Sequence, residues 1–174
     1  MSFLSNIIFT FILNLIYCMS LDNNTLIDNN TLIDNKTLID NDIYYMKRYM
    51  YYKNKYKDRI QIKEIEKMKV RGYFNYVIKK DDICKYAENI LINQTDYFNM
   101  FKILIHELTH YMQCIYSEKY NKNMSSITKK MPNDYYVDFV KTVYKIQDWD
   151  TEFEAFYYQS NYEKFKNLEN IISI

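Results

Sequence analysis

Ile105-His106-Glu107-Leu108-Thr109-His110, set inside the apolar run from Tyr97 to Tyr116, is the stretch on which the reading of this chain turns. Its two histidines are the only ones among 174 residues. On an α-helix, positions i and i+4 lie one turn apart on the same face, so both imidazoles can reach one ion while Glu107 sits beside them. A His pair at this spacing with Glu directly after the first arises by chance in roughly one in two thousand chains of this composition. A lone His is usually a partly buried residue of an amphipathic helix; a spaced pair of this kind seldom is. The segment therefore reads as a helix that carries a metal site.

Around it, length and composition favour one domain with one core. Tyr, Asn, Ile and Lys are abundant, Gly and Pro occur once each, and Ala twice. This is the signature of an AT-rich coding bias, so many Lys and Tyr need no functional explanation. The formal net charge of +1 conceals an uneven spread. Residues 1–42 carry five Asp against Lys36, residues 43–80 twelve bases against three acids, and the remainder fourteen acids against ten bases. A basic, aromatic middle third could touch nucleic acid or an anionic membrane. A solvated Lys face over a Tyr-lined core contact is the plainer account, and no nucleic-acid partner is expected.

From Phe3 to Leu21 the chain is mainly apolar, and it holds no charged side chain before Asp22. Residues 1–20 read as a signal peptide cut after Ser20, with Cys18 and Ser20 as the small residues before the cut, although no basic residue precedes the apolar run. A signal anchor is the competing reading, and a buried helix the third. Either of the first two places the protein outside the cell or tethered to a membrane. Residues 21–41 follow as a hexapeptide repeat, Asp22-Asn-Asn-Thr-Leu-Ile and two further copies. Three copies give about one turn of a β-solenoid, too little to bury a face, so this part reads as a disordered linker. The domain then spans 42–174.

Within it, Asp42 to Lys57 reads as a helix. Arg59 to Ile65 alternates as a half-buried strand, and Val70 to Ile78 is β-rich around Gly72, which marks a bulge. Lys79 to Asp82 is a turn, and Asn89 to Asn93 a third apolar stretch. Thr95 or Asp96 caps the helix that begins near Tyr97. Downstream, Asp134 to Ile146 and Trp149 to Lys166 are helical, the second capped by Asp150 or Thr151. The fold class is α+β, with a small, mostly antiparallel sheet placed directly before the His106 helix.

Together, His106-Glu107-Leu-Thr-His110-x-x-Gln113 and Glu152-Phe-Glu154-Ala155 resemble the zincin metallopeptidases, and within them the gluzincins, whose third zinc ligand is a Glu on a downstream helix. The chain looks like the minimal metallopeptidases of viruses, mobile elements and bacteria. The longer metzincin motif is excluded, because no third His follows His110. By this resemblance zinc is held by His106, His110 and Glu152, with Glu154 as a rival for the third place. Glu152 is preferred because Ala155, three residues on, lies near the same face and lets two helices approach. Asp150 and Gln159 are weak substitutes. Taken alone, Glu152 and Glu154 would be an ordinary solvated first-turn pair favoured by the helix dipole. The relatives often carry Asp or Asn four residues after the ligand, where this chain has Phe156.

The resemblance implies hydrolysis of a peptide or protein substrate by a metal-activated water, with Glu107 as general base. It also implies an edge strand that holds extended substrate, assigned to Asn89–Asn93, and an oxyanion donor, assigned to Tyr157 or Tyr158. The alternative is a binding protein on a zincin scaffold that has lost turnover, which Phe156 favours. Cys84 and Cys114 cannot join the two histidines in a structural zinc site, since His106 and Cys114 stand about 12 Å apart along one helix. A Cys84–Cys114 disulfide and two buried thiols are both open.

Overall fold

The computed structural model describes residues 35–79 and 82–173; the expected leader and the first part of the repeat lie outside them. Helix α1, Asn35–Tyr56, starts within the third copy of the repeat rather than at Asp42. That copy contains neither Gly nor Pro, so nothing in it stops the helix from extending backwards. Tyr45, Tyr49, Tyr52 and Tyr56 recur at helical spacing, and the last three are buried. The bases of α1 are partly absorbed by pairing: Lys53 meets Glu64 at 2.5 Å and Lys55 meets Glu169 at 2.7 Å. The Arg48 guanidinium lies 5.0 Å from the Tyr44 ring centroid and 5.5 Å from that of Tyr162.

Strands β1 (Gln61–Ile65), β2 (Gly72–Ile78) and β3 (Cys84–Asn93) form one sheet in the order β1-β3-β2. β3 is antiparallel to β2 and parallel to β1, so the sheet is mixed rather than mostly antiparallel. Asn89–Asn93, expected at the edge, is the central strand and pairs on both sides. The reason is burial: Ile90 and Ile92 are fully enclosed, and a short apolar run suits a strand with two neighbours. The edge on the side of the His106 helix is β2. Gly72 does not mark a bulge either, since the register shifts fall at Asn75/Tyr76 and Val77/Ile78. It permits close approach: a Cβ there would run into Ile103 and stand 2.6 Å from Glu107 Oε1.

Helix α2, Tyr97–Tyr120, is the centre of the molecule. Asp96 caps it, its Oδ1 accepting from Asn99 N at 2.9 Å, and Asn121 ends it with a left-handed φ of 50°. From Met100 to Cys114 every residue except Lys102 is buried, because α2 packs on β2 and β3, on α1, and on two later helices. Cys84 and Cys114 form a disulfide with Cα atoms 5.1 Å apart, fastening the start of β3 to the same helix.

Helix α3, Asp134–Val143, is followed by a 3₁₀ turn, Ile146–Asp148, and by α4, Trp149–Ser160. Neither Asp150 nor Thr151 is the cap: α4 runs straight out of the 3₁₀ turn, and Thr151 Oγ1 donates back to Asp148 O at 2.8 Å. The pattern expected to continue to Lys166 breaks at Asn161, whose side chain donates to Tyr157 O at 2.9 Å. Helix α5, Phe165–Ile172, then folds back onto the core. A large hydrophobic cluster joins α1, the sheet, α2, α5 and, through Tyr158, the far end of α4; a smaller one joins α3 and α4 through Phe139, Val140, Val143, Phe153 and Phe156. No described helix is long and apolar enough to cross a membrane.

Candidate metal centre

On α2, the four-residue spacing brings His106 Nε2 and His110 Nε2 to 3.2 Å from each other. Helix α4 crosses α2 with Ala155 fully buried, and its small side chain allows the approach that brings Glu152 in. Glu152 Oε2 lies 3.5 Å from His106 Nε2, and Oε1 lies 3.5 Å from His110 Nε2. One ligand atom from each of the three residues falls within 4.8 Å of the others, so together they could hold a metal ion. All three are buried, each under 10 % exposed.

The electrostatics suit a cation. Burial draws the His106 imidazole down from 6.5 to about 4, with Gln159 beside the ring opposing in part. His110 is lowered chiefly by burial, against the pull of Glu152. Both rings are therefore neutral at pH 7, the form that ligates metals. Burial raises the Glu152 carboxyl, while His110 and the Tyr144 hydroxyl lower it. Glu107 is pushed well above the usual carboxylate range by burial and by the charge of Glu152. Among the described residues, Glu152 Oε2 and His106 Nδ1 are buried without hydrogen-bond partners. A carboxylate oxygen with no donor, aimed at an imidazole nitrogen, costs free energy that a divalent cation between them would recover. The residues fit a metal ion on that ground.

Each ring is held by a neighbour. His110 Nδ1 lies 2.9 Å from Gln113 Oε1, and Gln113 Nε2 donates to Thr151 O and to Glu154 Oε2, both at 3.0 Å. The His106 ring packs edge-on against Phe156 with centroids 4.6 Å apart, and Phe156 in turn stacks on Tyr136. Phe156 thus places one ring by packing.

Glu154, the rival third ligand, points elsewhere. Its oxygens accept from Ile127 N, Thr128 N, Thr128 Oγ1 and Gln113 Nε2 at 2.6–3.1 Å. Two positions on, a helical side chain is turned about 200° from its predecessor, so Glu152 and Glu154 cannot share a target. Asp150 is exposed. The two tyrosines expected as oxyanion donors are also turned away. Tyr158 is buried with its hydroxyl 3.3 Å from Thr128 Oγ1, and Tyr157 packs in the large cluster with Lys164 Nζ 5.6 Å from its ring centroid. Three other tyrosines stand in the field of the site: Tyr144, whose hydroxyl meets Glu152, and Tyr73 and Tyr76 on β2. Loss of hydration and the charge of Glu107 raise Tyr73; loss of hydration, Asp148 and Glu152 push Tyr76 up to about 12.

Gln113 stands three residues after His110 on the same face, a spacing that signals a partner for it. Tyr144 and the Ile127–Thr128 backbone have no comparable signal, because only the folded chain brings them to Glu152 and Glu154. No protein-family model, curated protein or solved structure matches the chain.

Proposed function

We propose that this chain is a zinc-dependent peptidase of the zincin type, acting on a peptide or protein substrate. The observation that carries the reading is the convergence of two imidazole nitrogens and a carboxylate from two helices, with Glu107 buried beside them. His106, His110 and Glu152 are the ligands. Zinc held there supplies Lewis acidity, which lowers the pKa of a water to near 7.

Glu107 is the general base: one of its carboxylate oxygens takes the proton of the attacking water and returns it to the departing amine. Its carboxylate is held against the start of β2, at the bare backbone of Gly72. Tyr73 and Tyr76 keep their protons at neutral pH, since both are raised, and offer hydroxyl donors to the oxyanion that develops on the substrate. β2, an outer strand on the Glu107 side, is the place for an extended peptide to add by backbone hydrogen bonds. The Cys84–Cys114 disulfide supports an oxidising compartment, and with it a secreted protein or one anchored through its N-terminal apolar segment.

The test is elemental analysis of the full chain together with cleavage of a mixed peptide library. Wild type should hold one zinc and cleave. Glu107→Gln should keep the zinc and lose about 10²–10⁴ in rate. Zinc without any cleavage by wild type would instead make the chain a binding protein, and full activity in Glu107→Gln would end the role given to that residue.

A further inference from the structure

Glu154 is a buried carboxylate that the proposed chemistry does not use. It is 0 % exposed and takes hydrogen bonds from two backbone N–H groups, a hydroxyl and the Gln113 amide. A side chain so fully engaged is placed for a reason, and the Gln113 contact shows which.

The terminal amide of Gln113 could point either way round, but its surroundings permit one orientation. One end faces Thr151 O, which only accepts, and Glu154 Oε2, which in a carboxylate also only accepts. That end must be the NH₂. The carbonyl oxygen is therefore the end that meets His110 Nδ1 at 2.9 Å, and an oxygen acceptor there requires a hydrogen on Nδ1. A neutral imidazole protonated on Nδ1 has its lone pair on Nε2, the atom that faces His106 and Glu152.

We infer that Glu154 is a positioning residue: through Gln113 it fixes the ring orientation and tautomer of His110, and so presents Nε2 as a metal donor. This rests on the metal reading above and adds a residue to it. The backbone N–H groups of Ile127 and Thr128 belong to the same device. They hold both oxygens of the Glu154 carboxylate, Ile127 N donating to the same Oε2 that Gln113 meets, so the loop after α2 helps fix the carboxylate against the amide. Glu154→Gln would disturb this without changing side-chain size. An NH₂ group in place of one oxygen would face the Gln113 NH₂ or a backbone N–H, donor against donor. Gln113 could relieve the conflict only by turning over, which would put its carbonyl against Thr151 O and its NH₂ against His110.

The experiment is a double-mutant cycle on the full chain, with zinc alone as the probe and chelator competition as the measurement. Glu154→Gln should weaken zinc binding about 10–100-fold, the usual loss when the partner of a metal-ligating His is removed. Gln113→Ala should do likewise. In the Gln113→Ala background, Glu154→Gln should cost no further affinity, because its route to His110 is gone. An equal loss in both backgrounds would make Glu154 merely structural and overturn the inference.

A second measurement needs neither variant to fold. In ¹⁵N spectra of wild type, His110 should carry its proton on Nδ1 with or without zinc, and a proton on Nε2 in the metal-free protein would refute the relay. A wild type that binds no zinc yet shows the Nδ1 proton would sink the metal reading and leave the relay standing.

Discussion

Gly72→Ala tests the contact that holds Glu107 in place, and two opposed effects decide its outcome. Gly72 does not have positive φ, so Ala is conformationally acceptable there. The loss of freedom in the unfolded chain alone would favour Ala by about 0.4–1 kcal/mol. Against this, the new methyl runs into Ile103 and stands 2.6 Å from Glu107 Oε1, where ordinary contact begins at 3.4 Å. Ile103 is 7 % and Glu107 8 % exposed, and both sit on the fully packed α2, so neither can swing away. Overpacking of this kind costs about 1–3 kcal/mol. The clash wins, with a net loss of about 1–2 kcal/mol and a Tm lower by roughly 2–8 °C for a chain of this length.

The assay is thermal unfolding of four proteins: wild type, Gly72→Ala, Ile103→Ala and the double variant. Ile103→Ala removes one of the two obstacles, so Gly72→Ala should cost less in its presence, by about 0.5–2 kcal/mol. Under the proposed function, hydrolysis by Gly72→Ala should fall while zinc content holds, because the displaced group would be the base and not a ligand. A Gly72→Ala protein as stable as wild type, or an equal cost in both backgrounds, would refute the close packing of β2 on α2.

The remaining expectations concern pH and the disulfide. His106 takes up its proton near 6.5 in the unfolded chain but near 4 in the native one, so metal-free stability is lost as pH falls through that window. The loss is about 3 kcal/mol, and urea unfolding in chelator should show wild type losing that much against His106→Asn between pH 7 and pH 4. Glu107 works in the opposite sense. Its native pKa is raised above 4.5, so its contribution is complete below that value and is lost as pH rises. Metal-free Glu107→Gln should therefore gain on wild type with rising pH, and a constant difference would contradict the burial of the charge. Cys84 and Cys114 are 30 residues apart, and opening a loop of that length should cost about 3–4 kcal/mol. A urea midpoint unchanged by reduction would show that the bridge constrains nothing.

What could be read from the sequence was local. The four-residue spacing of His106 and His110, the small Ala155 near Glu152, and the β-prone runs before α2 are short-range patterns, and each leads to the element or contact the structure shows. Where distant segments decide, the reading failed. Asn89–Asn93 looks the same whether it lies at an edge or in the centre, and only its pairing with both β1 and β2 settles that. Gly72 suggested a bulge because the crowding of Ile103 and Glu107 behind it comes from a helix thirty residues on. Tyr157 and Tyr158, expected as oxyanion donors, share a helix with Glu152, and helix rotation carries them away from it. Glu152 and Glu154 illustrate the limit: helical geometry says that only one can face the histidines, and the fold says which.

The enclosure of α2 has a consequence for how the molecule breathes. The amides between Met100 and Cys114 lie in the most enclosed segment of the fold, mostly within the large cluster, and their deuterium exchange should require global unfolding. Helix α4 packs on α2 and, through Phe153 and Phe156, on the smaller cluster with α3, and this smaller unit is expected to open at lower free energy. Two of the three candidate ligands would then belong to the slowest-exchanging segment and the third to a faster one. An ion shared among them is a cross-link between two cooperative units, and adding zinc should slow exchange in α4 toward that of α2.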